Sequence, residues 1–223
     1  DMVMPLHRVQ ALQVTTGIVR RRFGWHGLSA VSLAADEKST SHAIAPFATM
    51  DEIARIVPVT GFSLPAPDTA WRSTAAAWHR NAALLVAVPL VALALAALLG
   101  APVAAVGIVQ PALVALPLLL AAGLLALRRW YLWRFDRFAL DARQVLARRG
   151  WLSPHLDIAS RVRVQSVELV QGPLARRGGY AALHLGIAGG RLDIEGVPLA
   201  DAMALRDAIL ESIAATDFSR LGR

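Results

Sequence analysis

Arginine side chains are the groups in this sequence whose type and spacing could do chemistry. Seven of them, in three short runs, are candidates for a site: Arg20, Arg21, Arg22, Arg148, Arg149, Arg176 and Arg177. A guanidinium is permanently charged, and its planar fork of N–H groups matches phosphate and carboxylate oxygens. These runs predict a surface for anionic lipid headgroups or for a protein partner. The alternative is that they are solvated turns that keep one end of a β-sheet soluble.

The other reactive residue types form no recognisable catalytic or metal-binding pattern. The chain has six His and no Cys, and the His residues lack the spacing of a zinc-ligand motif. Ser occurs, but not in the G-x-S-x-G turn that presents a nucleophile. Glycines at 186–190 lie between two predicted strands, whereas a phosphate-binding loop lies between a strand and a helix. We expect no catalytic residue, no cofactor and no metal site, and the chain is predicted not to be an enzyme.

The element that must position these arginines is a 47-residue segment, 81–127, without Asp, Glu, Lys or Arg. One crossing of a bilayer core about 30 Å thick needs about 20 apolar residues, so this segment is long enough for two crossings and a tight turn. We predict a transmembrane helical hairpin with spans at 82–99 and 106–127. Trp78 and Trp130 flank it, as is typical of membrane interfaces. The alternative is a helical hairpin buried in a soluble protein.

The net charge of +7 is concentrated beside this hairpin. Residues 128–149 carry seven Arg and two Asp, whereas the charges of 150–223 cancel. Such a collar is typical of the cytoplasmic side of a membrane helix, and it does not resemble a nucleic-acid patch spread over a domain. We therefore place both flanks on the cytoplasmic side of a bacterial inner membrane, in a multi-pass protein, and expect no nucleic-acid partner.

The flanking segments alternate apolar and polar residues, as strands with one buried face do. Before the hairpin we predict strands at 8–16, 25–35 and 42–47, a basic turn at 17–24, and a helix that begins at Thr49 and ends at Pro58. Thr49 and Glu52 have the spacing of a capping box. After the hairpin we predict strands at 134–140, 144–150, 151–158, 162–170, 180–188 and 191–197, a basic turn at 172–179 and a helix at 201–215.

The two flanking segments are related by an internal repeat with an offset of 155 residues. Over 21 ungapped positions that begin at Arg8 and Arg163, eight residues are identical, whereas ordinary composition predicts about one or two. Both segments follow the order strand, basic turn, strand, strand, helix. Trp25 corresponds to Tyr180. The similarity indicates a duplicated unit.

The two copies differ at their start. The second copy has about 30 residues, 128–157, before its aligned part, whereas the first has almost none. We expect the first copy to lack its leading strands, which would leave an exposed sheet edge and a half-covered core. The missing strands and an earlier hairpin are expected upstream of Asp1, so that the chain would be a fragment or a truncated product.

Three short segments carry a resemblance to a known family: Val145-Leu146-Ala147-Arg148-Arg149-Gly150, Arg163-Val164-Gln165-Ser166-Val167 and Gln171-Gly172-Pro173-Leu174-Ala175-Arg176-Arg177-Gly178-Gly179-Tyr180. With them the chain resembles the bacterial pleckstrin-homology (PH) domain family of membrane-flanked proteins, and within it the YdbT/YdbS group. The resemblance implies a strongly bent seven-stranded sheet capped by a helix, and it implies no known catalytic activity. The first copy departs from the pattern, since Ile18 and Val19 replace Pro173 and Leu174.

The expected fold class is an α+β membrane protein in which a transmembrane helical hairpin separates a partial from a complete PH-like domain. The predicted parts are a first PH-like domain at 1–58, a linker at 59–80, the hairpin at 81–127, a second PH-like domain at 128–216 and a tail at 217–223. The expected function is to present cytoplasmic PH-like domains for protein–protein and anionic-lipid interaction. The alternative is a component of an envelope transport or antimicrobial-defence membrane assembly. Expected partners are the lipid bilayer with its anionic headgroups, and another PH-like membrane protein or a second copy of this chain.

Overall fold

The computed structural model describes residues 9–32, 41–99 and 110–215. Its strands are β1 Val9–Thr15, β2 His26–Ser32, β3 Ser41–Ala48, β4 Arg72–Ser73, β5 Arg137–Leu140, β6 Gln144–Arg149, β7 His155–Ser160, β8 Val164–Val170, β9 Tyr180–Ile187 and β10 Gly190–Pro198. Its helices are α1 Ile18–Arg22, α2 Met50–Val59, α3 Ala76–Leu99, α4 Pro111–Leu132, α5 Pro173–Gly178 and α6 Leu199–Ala214. We call β1, α1, β2, β3 and α2 the first unit, and β8, α5, β9, β10 and α6 the second unit.

The strands form where alternation predicted them, with ends shifted by a few residues, but the two basic turns are short helices. In α1 the Arg21 N–H donates to the Gly17 carbonyl over 2.8 Å, and in α5 the Arg176 N–H donates to the Gly172 carbonyl over 3.0 Å. Each glycine stands in an extended conformation just before its helix. The segments therefore close one helical turn, which strand periodicity cannot reveal because the run is too short to show a helical period.

Helix α2 carries the predicted capping box. The Thr49 N–H donates to Glu52 Oε2 over 2.8 Å, and the Glu52 N–H donates to Thr49 Oγ1 over 3.4 Å. The helix continues past Pro58 to Val59, one residue further than predicted. Pro58 lies next to the last residue of the helix, so its ring interrupts no following turn. After the helix, the Thr60 hydroxyl donates to the Val57 carbonyl over 2.6 Å.

One antiparallel sheet runs through both flanks of the hairpin, in the order β3-β2-β1-β7-β6-β5-β4. Strand β1 pairs with β2 on one side and with β7 on the other. The prediction of an exposed sheet edge on the first unit is therefore wrong, because β7, which precedes the second unit, pairs with that edge. The division into domains at 58 and 128 stays a prediction, because the sheet itself is continuous between them.

The strands β5, β6 and β7 are buried on both faces. One face packs on the three-stranded sheet β10-β9-β8 and on α6, and the other face packs on α2 and Phe62. The side chains that point to the second unit are Phe138, Val145, Ala147 and Ala159. Those that point to α2 are Ala139, Leu146 and Ile158. Neighbouring residues thus enter opposite cores, as the pleat of a strand requires, and the expected half-covered core is also wrong.

The predicted linker after α2 is attached to the sheet. Phe62 is buried in the core beneath α2. The Gln144 amide donates to the Ser63 carbonyl over 2.8 Å and accepts from the Ser63 N–H over 3.2 Å. The segment then adds β4 to the edge of β5. Because these contacts hold the segment along its length, it positions the start of α3 relative to the sheet.

Helices α3 and α4 pack against each other as the predicted hairpin, and its turn lies outside the described residues. Both are long and apolar enough to cross a membrane. Pro89 and Pro117 lie inside them, whereas Pro111 begins α4. Only 6% and 11% of their apolar windows are buried in the protein. A core helix of a soluble protein would be mostly buried, so this exposure speaks against the soluble alternative.

Candidate functional site

The hairpin joins the sheets through a hydrogen-bonded connection, which we call the hairpin end. The Trp133 indole N–H donates to the Thr74 carbonyl over 2.8 Å, and the Ala75 N–H donates to the Gly196 carbonyl over 2.6 Å. The carboxylate of Asp136 accepts from the Gly150 N–H over 3.0 Å. These bonds link α3, α4, β6 and β10, so the hairpin has a fixed direction relative to both sheets.

A buried histidine stabilises this connection from inside. His79 is 3% exposed, and its Nε2 lies 3.0 Å from the Thr74 hydroxyl and 3.7 Å from Asp136 Oδ2. No group of three or more His, Asp or Glu side chains that could hold a metal ion occurs in the described ranges. Through its contacts with Thr74 and Asp136, His79 joins the start of α3 to the segment that follows α4.

The second unit is covered at the hairpin end by the start of α3. Trp78 packs edge-to-face on Tyr180, with ring centroids 5.8 Å apart. The Asn81 amide donates to the Tyr180 hydroxyl over 3.1 Å and to the Leu174 carbonyl over 3.3 Å. A Cβ added to Gly196 would lie 2.5 Å from the Trp78 ring, so only glycine lets α3 approach this closely. The basic helix α5 is thereby held beside α3.

The first unit presents its basic helix beside α4. Ile18 of α1 lies in one groove with Leu124 and Leu127 of α4. Arg20 is not free, since its guanidinium lies 4.7 Å from the Phe47 ring centroid and donates to the Pro46 carbonyl over 3.4 Å. The two basic helices therefore lie at the same end of the molecule, one beside each helix of the hairpin.

The predicted arginines thus divide into engaged and free groups. Arg149 donates to the buried carboxylate of Asp157 over 2.7 Å, and the Gln13 amide donates to the other oxygen over 2.9 Å. Arg20 is engaged as described above. The remaining candidates form no ion pair with any described residue: Arg21, Arg22, Arg148, Arg176 and Arg177. The free arginines are available to an external anion.

Two neighbouring hollows lie near the end of α4, and the outer one is lined by α4 itself. The inner cavity has a volume of about 470 Å³, and the outer groove has a volume of about 830 Å³. They share Gly150, Trp151 and His155. Trp151 packs on Tyr131 of α4, with ring centroids 4.7 Å apart. The groove therefore leads from the surface of the hairpin into the sheet region.

Sequence reasoning missed Trp151 and His155 as wall residues. Both lie in the connection from β6 to β7 or at its end. A single tryptophan beside Gly150 was assigned to a strand, and no repeat or motif separates it from other strand residues. Gly150 is the sequence signal that favoured a turn here, because glycine tolerates a positive φ. In the structure its φ is +82°.

The first unit also exposes an aromatic group whose counterpart in the second unit is covered. Phe23, Trp25 and Phe47 pack on one another with ring centroids 5.3 and 6.0 Å apart. Phe23 and Phe47 are each 61% exposed, and Trp25 is 44% exposed. Tyr180, which corresponds to Trp25 in the repeat, is 5% exposed because α3 lies over it.

Comparison with known proteins gives one match. The family model described as the bacterial PH domain matches residues 74–213. No curated protein and no solved structure matches the chain. The matched range holds the hairpin, the strands β5 to β10 and α6. Because the match covers more than half of the chain, and because the range contains antiparallel sheets and a terminal helix, this chain belongs to the bacterial PH domain family.

Proposed function

We propose that this protein crosses the bacterial cytoplasmic membrane with its hairpin and holds two PH-like units against the cytoplasmic leaflet, where they bind anionic headgroups and protein partners without catalysing a reaction. The observation that carries this proposal is the position of the two basic helices. Both α1 and α5 lie at the hairpin end, one beside α4 and the other beside α3. A bilayer around the hairpin would therefore meet both helices.

Electrostatics supports the proposal. Arg near an anionic leaflet contributes about 1 kcal/mol for each charge close to the surface. Arg176 and Arg177 of α5 and Arg22 of α1 are exposed and form no ion pair with a described residue. The charge-free hairpin argues against an ion or proton path through it. Members of the bacterial PH domain family are generally non-catalytic, which agrees with a binding role.

The experiment is hydrogen–deuterium exchange on the full chain in nanodiscs. One set contains phosphatidylcholine alone, and the other contains phosphatidylcholine mixed with anionic phosphatidylglycerol. We expect slower amide exchange across α5 in the anionic discs, and the difference is expected to disappear in the double variant Arg176→Gln, Arg177→Gln. The matched control is Arg143→Gln, which removes an exposed charge before β6, at the end far from the hairpin. Equal exchange of α5 in the two discs would refute headgroup binding.

A second candidate function is supported by the aromatic group Phe23, Trp25 and Phe47. In the second unit the corresponding region is covered by the first turns of α3. By the symmetry of the repeat, we propose that the first unit receives the start of a membrane helix from another PH-like membrane protein. The chain would then be one component of an envelope transport or antimicrobial-defence assembly, in line with the predicted likeness to the YdbT/YdbS group.

In-membrane photo-crosslinking tests this assembly. A photoreactive amino acid at position 47 is expected to give an adduct with the helix end of a membrane protein, identified by mass spectrometry. The control position is 203, since Met203 is exposed on α6 and is not part of the aromatic group. Adducts with lipid only at position 47, or the same protein adducts at both positions, would contradict the assembly.

A further inference from the structure

We infer that the groove beside α4 and the cavity next to it form a binding site for one anionic phospholipid molecule, with an acyl chain that runs along the groove into the apolar cavity and the phosphate at Arg21 and Arg148 of the cavity. This inference rests on the proposed function only in so far as α4 lies in a membrane. It goes further, because it assigns a single lipid to a built site and not to the general surface of the leaflet.

The outer groove has a largely apolar lining that begins at the hairpin. Its walls include Leu124 and Leu127, which are exposed on α4, followed by Tyr131 and Trp151. Tyr131 and Trp151 pack edge-to-face. An acyl chain at the level of Leu124 can follow these four side chains towards the sheets, and their carbon surface shields part of its methylene groups from water.

The inner cavity has the size and lining of a small-molecule site. Its volume of about 470 Å³ lies within the range of about 300–1,000 Å³ that ligand pockets occupy. Its apolar lining residues include Leu64, Trp71, Met50 and Leu156. The segment after α2 brings Leu64 and Trp71 to the sheet, so the cavity exists because that segment is fixed by Ser63 and Gln144.

The charges around the two hollows favour an anion. Arg21 and Arg148 line the cavity, and neither forms an ion pair with a described residue. Neither Asp nor Glu is among the residues that line the cavity. Asp136 lines the outer groove, but its carboxylate already accepts the Gly150 N–H and faces His79. Arginine guanidinium groups bind phosphate through paired N–H donors, so a phosphodiester complements this rim.

The opening of the groove selects a lipid over a free anion. A soluble phosphate would reach Arg148 from water and would make no use of Leu124, Leu127 and Trp151. Zwitterionic phosphatidylcholine would use the apolar wall, but its choline cation would accompany the phosphodiester to the two arginines and oppose its binding there. An anionic phospholipid satisfies both parts of the site at once, and a molecule lying against α4 can enter sideways along the groove.

The test uses the full chain in nanodiscs that contain a phosphatidylglycerol with a photoreactive diazirine in its acyl chain. After illumination we expect adducts at Leu64, Trp71 or Trp151 in addition to adducts in the spans, and a several-fold lower yield at these positions with the phosphatidylcholine analogue. Adducts confined to 81–127 would overturn the inference. A yield that is equal for both lipids and falls with excess inorganic phosphate would assign a free-anion site and would overturn it as well.

Two variants make the test specific, each with a matched control. Arg148→Gln is expected to lower the adduct yield about tenfold, the loss typical of one charge-assisted hydrogen bond, whereas Arg143→Gln at the far end of β6 leaves it unchanged. Met50→Trp fills the cavity from its rim and is expected to abolish the adducts at Leu64, whereas Met203→Trp on α6 has no effect.

The outcomes separate this site from the proposed leaflet contact. Retained adducts in both cavity variants, with unchanged melting of the protein, would refute the site even if α5 responds to anionic discs. Conversely, cavity adducts that depend on Arg148 would establish the site even if the exchange of α5 is the same in neutral and anionic discs.

Discussion

The two units repeat one chain order but use the same strands in different ways. The second unit lays its three strands face to face on β5, β6 and β7, whereas the first unit joins them edge to edge through β1 and β7 and covers their other face with α2. The start of α3 covers Tyr180 of the second unit, whereas Trp25, which corresponds to Tyr180 in the first unit, is exposed. Similar sequences therefore share local structure, while their surroundings decide which surface is buried.

The largest expected effect comes from replacing the corresponding aromatic residues of the two units by alanine. Tyr180→Ala is expected to lower the free energy of unfolding by about 3–5 kcal/mol, because it empties a buried site beneath Trp78. Trp25→Ala is expected to cost about 1 kcal/mol, since the ring is half-exposed and loses only its aromatic neighbours. Pulse proteolysis in detergent micelles measures both. Equal losses would mean that the two units are covered alike.

The second test asks whether β6 supports both units. Leu146 points to α2 and Val145 points to the second unit, and both are fully buried. Leu146→Ala is expected to cost about 2–5 kcal/mol, because it leaves a cavity in the core beneath α2. Val145→Ala is the reference for the other face. A loss below about 1 kcal/mol for Leu146→Ala alone would show that the first unit contributes little to the stability of the sheet.

A third test concerns the hydrogen bonds that join the first unit to β6 and β7. Asp157 of β7 accepts from Gln13 of β1 and from Arg149 of β6. Asp157→Ala is expected to destabilise the protein by about 1–3 kcal/mol, because both donors lose a charged acceptor. The control Asp207→Ala removes an exposed pair with Arg206 and should stay within about 0.5 kcal/mol. Chemical denaturation measures the free energy of unfolding of both variants. Similar losses would show that the hydrogen bonds of Asp157 contribute little to stability.

The smallest expected effect distinguishes the helices that end the two units. The Thr49 N–H and hydroxyl hold the pKa of Glu52 below the usual range of a glutamate, whereas α6 begins after Pro198 without a side-chain cap. A lowered pKa in the folded state means that the ionised carboxylate stabilises α2 above the ordinary pKa of a glutamate, and that this contribution is lost as the pH falls through the lowered pKa. The stability difference between the wild type and Glu52→Gln should therefore shrink in acid. A difference that is independent of pH would contradict the cap.

Local structure could largely be predicted from the sequence, whereas the way the units combine could not. Alternation located the strands, Thr49 and Glu52 located α2, and the charge-free segment located the hairpin. The pairing of β1 with β7 joins residues far apart in the chain, and no periodicity encodes such a partner. The repeat even favoured the wrong answer, since it predicted an unpaired edge on the first unit.

The candidate site shows the same division. Arginine runs identified Arg21 and Arg148 by type, but sequence alone did not separate them from Arg20 and Arg149, which are engaged within the protein. The cavity depends on where the segment after α2 crosses the sheet, and that course is set by Phe62 and by the Ser63–Gln144 hydrogen bonds. Residues predicted as a linker thus form one wall of the site.

The hydrogen-bonded connection at the hairpin end has a mechanical consequence. Trp133, Thr74 and Gly196 fasten both helices to the sheets within one turn of the hairpin, and the close approach of Trp78 to Gly196 leaves no room for sliding. The connection between the hairpin and the sheets is therefore rigid. A bilayer whose thickness changes the tilt of the hairpin would rotate the soluble part by the same angle and bring one basic helix nearer to the lipid surface as the other moves away.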